Sequence, residues 1–331
     1  MDAGTKRALT MPPAAGDHAG MTRVLTRSDL EALLEPAACL TALRDGFRTA
    51  GTVAVPGRRV RTDLPFPGTA TALVPGLLPG IDAYTVKVNA KFPGARPALR
   101  GVICLHSGTD GELLALLDSA TLTAWRTGLA AALGTALLAP AHDVLGVIGA
   151  GAQAELTLRG LTGEHRPRRL VVHDTDTGRA AAFAARHGGR VLASARAVAE
   201  AAGTVLLATW SRAPLLALAD TRPGQHFTSL GADEPGKREL APDLLDAALL
   251  VVDDEELAAR MGALAAPGLT RTAADATLTD VLRGTRPGRT SPGERTVYAP
   301  VGLPWQDLAL TWLAWREAER RGVGAVIDLL G

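Results

Sequence analysis

The stretch VLGVIGAGAQAELTLRG, residues 144–160, constrains the fold more than any other part of this chain. A run with the character of a buried strand passes through Gly149, Gly151 and Ala154 in G-x-G-x-x-G/A spacing and then enters a helical pattern. Gly149 permits the tight turn, Gly151 lets the backbone approach a pyrophosphate, and Ala154 keeps helix and strand close. The following helix offers free N–H groups around Ala152 and Gln153, and the positive end of its dipole, to an anion. Glycines also mark ordinary turns, so the weight lies in the strand before the motif and the helix after it.

The same rhythm continues downstream. VLGVIG (144–149), RLVVHD (169–174), TVLLAT (204–209), HFTSLG (226–231) and ALLVVD (248–253) are near-continuous apolar runs separated by turn and helical patterns. Such strands are buried on both faces, which implies α/β architecture with a Rossmann-type doubly wound parallel sheet. Asp174 ends the second of these strands, twenty-five residues after Gly149. A carboxylate there can accept the ribose hydroxyls of adenosine and would repel a 2′-phosphate, which favours NAD over NADP. The plainer role for Asp174 is a helix N-cap, which Thr175 or Asp176 could fill as well. His173 alternates into the sheet and reads as structural.

Upstream, Leu30, Leu33, Leu34, Leu40, Leu43 and Phe47 recur at helical spacing, predicting one opening helix over about 26–49 with Ser28 as its cap and Glu31 three residues on. Short apolar runs between Val53 and Leu117, punctuated by Gly and Pro, predict several strands. Residues 119–138 read as a long Ala-rich helix that links two domains. The last segment, from TVYAPVG onward, predicts strand, turn and a helix whose Trp305, Leu308, Trp312 and Trp315 form a core stripe rather than a ligand box.

A length of 331 residues suits two packed domains. With 47% hydrophobic and 21% charged residues the chain has ample material for a core. Lys+Arg 35 against Asp+Glu 34 gives no global field to attract nucleic acid or an anionic membrane. The two cysteines, Cys39 and Cys104, make neither a disulfide framework nor a metal site, and a reducing cytoplasm fits them best. Residues 1–20 mix charge, Pro and Gly without an apolar stretch and read as a mobile extension, not a leader or anchor. Lysine occurs only at Lys6, Lys87, Lys91 and Lys237 while arginine is abundant, so an internal lysine asks for a chemical reason.

Four segments in order, GELLALLDSATLTAWRT, VLGVIGAGAQA, GQHFTSLGADEPGKREL and YAPVGLPWQDLAL, make the chain similar to the ornithine cyclodeaminase/mu-crystallin family from about Met21 onward. The resemblance implies a nicotinamide enzyme acting on amino or imino acids. It further implies a substrate-binding and dimerisation domain of residues 21–127 plus 303–331, a Rossmann NAD-binding domain of residues 128–302, and a homodimer. Thr209 and Lys237 join Gly149, Gly151, Ala152, Gln153 and Asp174 as cofactor-side positions.

Chemistry at a carbon–nitrogen centre needs a carboxylate clamp and a proton shuttle. Arg59 and Arg126 match the family's clamp positions, where a planar guanidinium holds a carboxylate at two points. Arg58 and Arg61 neighbour Arg59, with Arg61 on the same strand face and Arg58 on the other. An arginine on a helix surface is the plainer role for Arg126. Lys87, in TVKVN, lies in an apolar strand where an unpaired ammonium is costly, and its family position implies contact with the substrate carboxylate or a reacting oxygen. The alternative is a lysine snorkelling from an edge strand. Asp233, in GADEPGK, matches the family's catalytic acid, exchanging a proton with the substrate nitrogen. By itself it would be an ordinary turn residue, and Lys237 could steady its loop or the cofactor.

The chain also departs from the family. Where ornithine cyclodeaminases carry a glutamate before a Met-Pro pair, TATALVPG has Thr71 and Val74-Pro75, and no nearby carboxylate replaces the glutamate. A second substrate ammonium has lost its partner, so a diamino acid is disfavoured. Ala95 stands where the family has asparagine after FPG, as if that loop were shortened. The expected activity is an NAD(H)-dependent amino acid dehydrogenase or imine reductase without metal. A cyclodeaminase and a non-catalytic ligand binder are the alternatives.

Overall fold

The computed structural model describes residues 20–50, 60–92, 95, 97–140 and 144–329. The chain divides into two compact units, one of Met1–Arg126 with Pro304–Gly331 and one of Thr127–Leu303. The expected extension at residues 1–20 lies, but for Gly20, outside the described residues.

In the first unit, β1 (Met21–Leu25) leads to α1 (Arg27–Leu33) and α2 (Pro36–Thr49). The single predicted helix over 26–49 is therefore two. Pro36 supplies no N–H and pushes the residue before it out of helical geometry, so Leu34 and Glu35 are extended and a new helix starts at Pro36. The cap is Thr26, not Ser28: Thr26 Oγ1 accepts from the Asp29 N–H at 3.4 Å, and Asp29 accepts from the Thr26 N–H at 2.9 Å.

A meander follows: β2 (Val60–Asp63), β3 (Ala70–Gly76), β4 (Ala83–Lys91), β5 (Leu99–Ser107) and β6 (Leu113–Asp118), each pair antiparallel. α3 (Ser119–Leu138) then carries the chain onward. After the second unit the chain returns as α10 (Pro304–Arg321) and β15 (Ala325–Asp328), a closing strand that the sequence reading missed. The seven strands lie in the order β15-β1-β6-β5-β4-β3-β2. α10 packs on α2 and across β3, β4 and β5, with Trp305 edge-on to Phe47 at 4.9 Å between centroids. The four predicted stripe residues, Trp305, Leu308, Trp312 and Trp315, are all buried.

The second unit is a parallel eight-stranded sheet. In chain order its elements are β7 (Val144–Ile148), α4 (Ala152–Gly160), β8 (Arg169–His173), α5 (Thr177–His187), β9 (Arg190–Val191), α6 (Ala195–Ala201) and β10 (Thr204–Leu207). Then come β11 (His226–Ser229), α7 (Pro242–Asp246), β12 (Leu249–Val252), α8 (Glu255–Met261), β13 (Ala276–Thr277), α9 (Leu278–Arg283) and β14 (Thr296–Tyr298). The order β13-β12-β14-β11-β10-β7-β8-β9 runs outward from β7 in one direction and resumes at β10 in the other. This reversal places a topological switch point between β7 and β10, where such sheets bind ligands beyond their carboxyl ends.

Asp253, just past β12, is buried and accepts from the Val301 N–H at 3.0 Å and the Gly302 N–H at 2.6 Å, fastening the segment that leaves β14. Burial pushes its carboxyl up to about 6 against the opposing pull of those two N–H groups. A pKa raised in the folded state contributes stability at pH values below the unfolded value, and that contribution is lost as pH rises through about 6. Asp253→Asn removes this titration. The wild-type unfolding free energy should therefore fall by up to roughly 3 kcal/mol more than the variant's between about pH 4 and 7, as read by urea unfolding. Equal pH slopes would contradict this assignment.

Candidate active site

The strand, glycine turn and helix of the motif form where the sequence predicts them. Gly149 closes β7 with φ +94, and a Cβ there would lie 2.5 Å from the Ala208 carbonyl oxygen, so both its conformation and its packing demand glycine. Gly151 is the N-cap of α4, without a side-chain cap, and the space where its Cβ would stand is open. Ala152 and Gln153 form the first turn, while Ala154 is fully buried. An uncapped helix start fronted by open space is what a bound pyrophosphate requires.

Asp174 is 7% exposed and is not a helix cap, because Asp176 caps α5 by accepting from the Arg179 N–H at 3.0 Å. Its Oδ2 accepts from the Ala150 N–H at 2.8 Å and its Oδ1 from the Asp176 N–H at 2.8 Å. The acid is thus fixed to the glycine loop itself. His173 Nδ1 meets the Leu192 carbonyl at 3.2 Å, in keeping with a structural residue.

Beyond β10 and β11 the sequence reading overlooked a residue. Glu239 is fully buried and accepts from the Thr209 N–H at 2.6 Å, the Thr209 hydroxyl at 2.7 Å, the Ser229 hydroxyl at 2.8 Å and the Gly231 N–H at 2.8 Å. Burial pushes its carboxyl above the usual range, opposed by these bonds. Glu239 ties the loop after β10 to the loop that carries Asp233, and it engages both the N–H and the hydroxyl of Thr209. Its only sequence signal was its place in the GADEPGKREL segment.

Asp233 accepts from Lys237 Nζ at 2.8 Å. Lys237 has a side chain only 6% exposed, stands 3.6 Å from Glu234 and lies over the Trp210 ring at 5.2 Å. These contacts tie Lys237 to the loop that carries Asp233.

The other cluster lies in the first unit. Strand alternation puts Lys87 of β4 on the buried face with Ala83, Thr85 and Asn89. It is 3% exposed, so it does not snorkel. Its Nζ donates to Asp307 of α10, and Arg126 of α3 reaches the same carboxylate, Nε to Oδ1 at 3.3 Å. Arg126 is buried, not a helix-surface arginine. Asp307 was missed in sequence because it sits between residues of the Trp stripe, 220 positions from Lys87. Asp307 is buried along with its neighbours at 305–312, so its carboxylate is costly unless it is paired.

Arg59 and Arg58 lie outside the described residues, whereas Arg61 is exposed and pairs with Asp63 at 2.7 Å. Thr71 donates to the Asn89 carbonyl at 3.0 Å. Ala95 turns its N–H to the Phe92 carbonyl at 2.9 Å. Among the described residues, no group of three or more His, Cys, Asp or Glu side chains is placed to hold a metal, and no helix is long and apolar enough to cross a membrane.

The profile of the ornithine cyclodeaminase/mu-crystallin family matches residues 21–321. The chain belongs to this family. It is 29% identical to the alanine dehydrogenase of Archaeoglobus fulgidus, over 92% of this chain and 98% of that protein. Among solved structures, an archaeal alanine dehydrogenase dimer with bound NAD superposes with a TM-score of 0.86 at 27% identity, covering 94% of this chain and all of that one. The Δ1-pyrroline-2-carboxylate reductase of Thermococcus litoralis, in complex with NADH and L-proline, gives 0.85 at 26% identity over 92% of this chain and 99% of that one. The doubly wound fold and the family membership thus agree with the sequence reading.

Proposed function

We propose that this protein is an NAD(H)-dependent oxidoreductase acting on the CH–NH/C=N bond of a small amino or imino acid. The observation that carries this reading is the buried Lys87–Asp307–Arg126 cluster. There two buried cations, Lys87 and Arg126, converge on Asp307, a place suited to the negative charge of an anionic substrate group. The substrate carboxylate supplies that charge, held by Lys87 and Arg126, with Arg59 the further clamp expected from sequence. In the other unit, the Gly149–Gln153 turn would hold the pyrophosphate of NAD and Asp174 its adenosine ribose. A nicotinamide held there would supply the hydride chemistry. Asp233 exchanges the proton of the substrate nitrogen, and Lys237 keeps its carboxylate in place.

Thr71 supports a substrate with a single ammonium, since its hydroxyl donates to a strand carbonyl and it brings no negative charge. Supplying NADH with ammonia and small 2-oxo acids, or with cyclic ketimines, should consume NADH in step with amino acid formed. A cyclodeaminase would release ammonia from ornithine with no net NADH change, and a ligand binder would show neither; each of these outcomes overturns the reading.

The assembly that fits this reading is a homodimer. Val60, Leu73, Val88 and Val102 stand in register across β2 to β5, and they are 54%, 44%, 36% and 42% exposed. An apolar row of this kind is unusual on a monomer's surface. Sedimentation should give twice the 34.2 kDa chain mass, and Val88→Lys should give a monomer. A monomeric wild type would contradict the homodimer.

A further inference from the structure

We propose that Arg179 is a second specificity-determining residue at the adenosine end of the dinucleotide site, and that it sets how strongly the protein discriminates against a 2′-phosphate. This rests on the reading of the second unit as an NAD site. The Asp174 carboxylate is not waiting unengaged. One backbone N–H at 2.8 Å occupies each of its oxygens, and the Arg179 guanidinium takes much of what remains, with Nη1 at 3.3 Å from Oδ2 and 3.5 Å from Oδ1. A carboxylate offers about four lone-pair sites, so a ribose diol must compete with Arg179 for those two oxygens.

The guanidinium is free to yield. Its side chain is 52% exposed, its bonds to Asp174 are long, and its other arm, Nη2, rests on Asp176 at 3.2 Å. Charge gives the second half of the argument. Arg179 is a positive charge paired with both Asp174 and Asp176, so removing it makes this corner one unit more negative. A 2′-phosphate, itself an anion, meets less repulsion with Arg179 present and gains a guanidinium partner when Arg179 swings away from Asp174. The 2′-hydroxyl of NAD gains nothing from Arg179 and loses by the competition. Arg179 therefore acts in opposite directions on the two dinucleotides.

The test is calorimetric titration of NADH and NADPH into the wild-type protein, Arg179→Ala and Arg179→Lys, with no substrate present. In Arg179→Ala the ratio of the NADPH to the NADH dissociation constant should rise by at least about tenfold, with NADH affinity unchanged or tighter. Arg179→Lys should fall between, and the rise should shrink at high salt because the group is half exposed. An unchanged or falling ratio, with NADH still bound, overturns the role of Arg179 and leaves the cofactor reading intact. If the wild-type protein binds neither dinucleotide, the cofactor reading itself is wrong and the proposal goes with it.

Discussion

Asp233→Asn should lower kcat by about 10²- to 10⁴-fold, the range that a positioned acid–base group contributes, while NADH affinity stays at the wild-type level. The substitution isolates proton transfer because asparagine keeps the side-chain shape and leaves an oxygen to accept from Lys237, which stands 2.8 Å from Oδ1. What it removes is the ability to take or return a proton at the substrate nitrogen. The loop should not move, since its other anchor, Gly231 N–H to Glu239, is independent of Asp233. Steady-state rates beside NADH titration separate the two properties. A kcat retained within about tenfold of wild type would mean that another group moves the proton.

The second large effect is on stability. Asp307→Asn leaves Lys87 and Arg126 buried with their shared counter-charge gone, and breaking a buried pair from one side costs about 3–5 kcal/mol. Replacing both partners is different. In Lys87→Met/Asp307→Asn one of the two cations disappears with the acid, so the double variant should be more stable than Asp307→Asn alone. Urea unfolding of wild type, the two single variants and the double closes the cycle. If Asp307→Asn does not fold, added carboxylate anions such as acetate should rescue soluble protein by supplying the missing charge. An Asp307→Asn protein within about 0.5 kcal/mol of wild type would show that Asp307 is not the counter-ion of the two cations.

These two acids also mark what could be read from sequence. Asp233 was singled out by the resemblance of its loop to the family's, since on its own it reads as an ordinary turn residue. Asp307 was not, because its partners are distant in the chain and its helix already had an explanation in Trp305, Leu308, Trp312 and Trp315. Lys87 was legible from strand alternation together with the scarcity of lysine. Gly149 was legible because the turn it makes tolerates nothing else. Glu239 was not, since a buried carboxylate satisfied by two N–H groups and two hydroxyls leaves no local pattern. Its partners come from β11 and from the loops after β10 and β11. At Pro36 the break between α1 and α2 was written in the residues, but an apolar period running through it concealed two helices in register. Periodicity reports which face is buried, and a proline reports where the backbone must stop.

The most direct measurement follows a hydride. NADH carrying deuterium at the transferred C4 position is supplied with ammonia and a 2-oxo acid, or with a cyclic ketimine, and the amino acid product is examined by mass spectrometry. One deuterium at Cα is the expected result, with Asp233→Asn slowing its appearance. Amino acid formed without deuterium, or no amino acid formed while NADH remains bound, would contradict hydride transfer at the carbon–nitrogen centre.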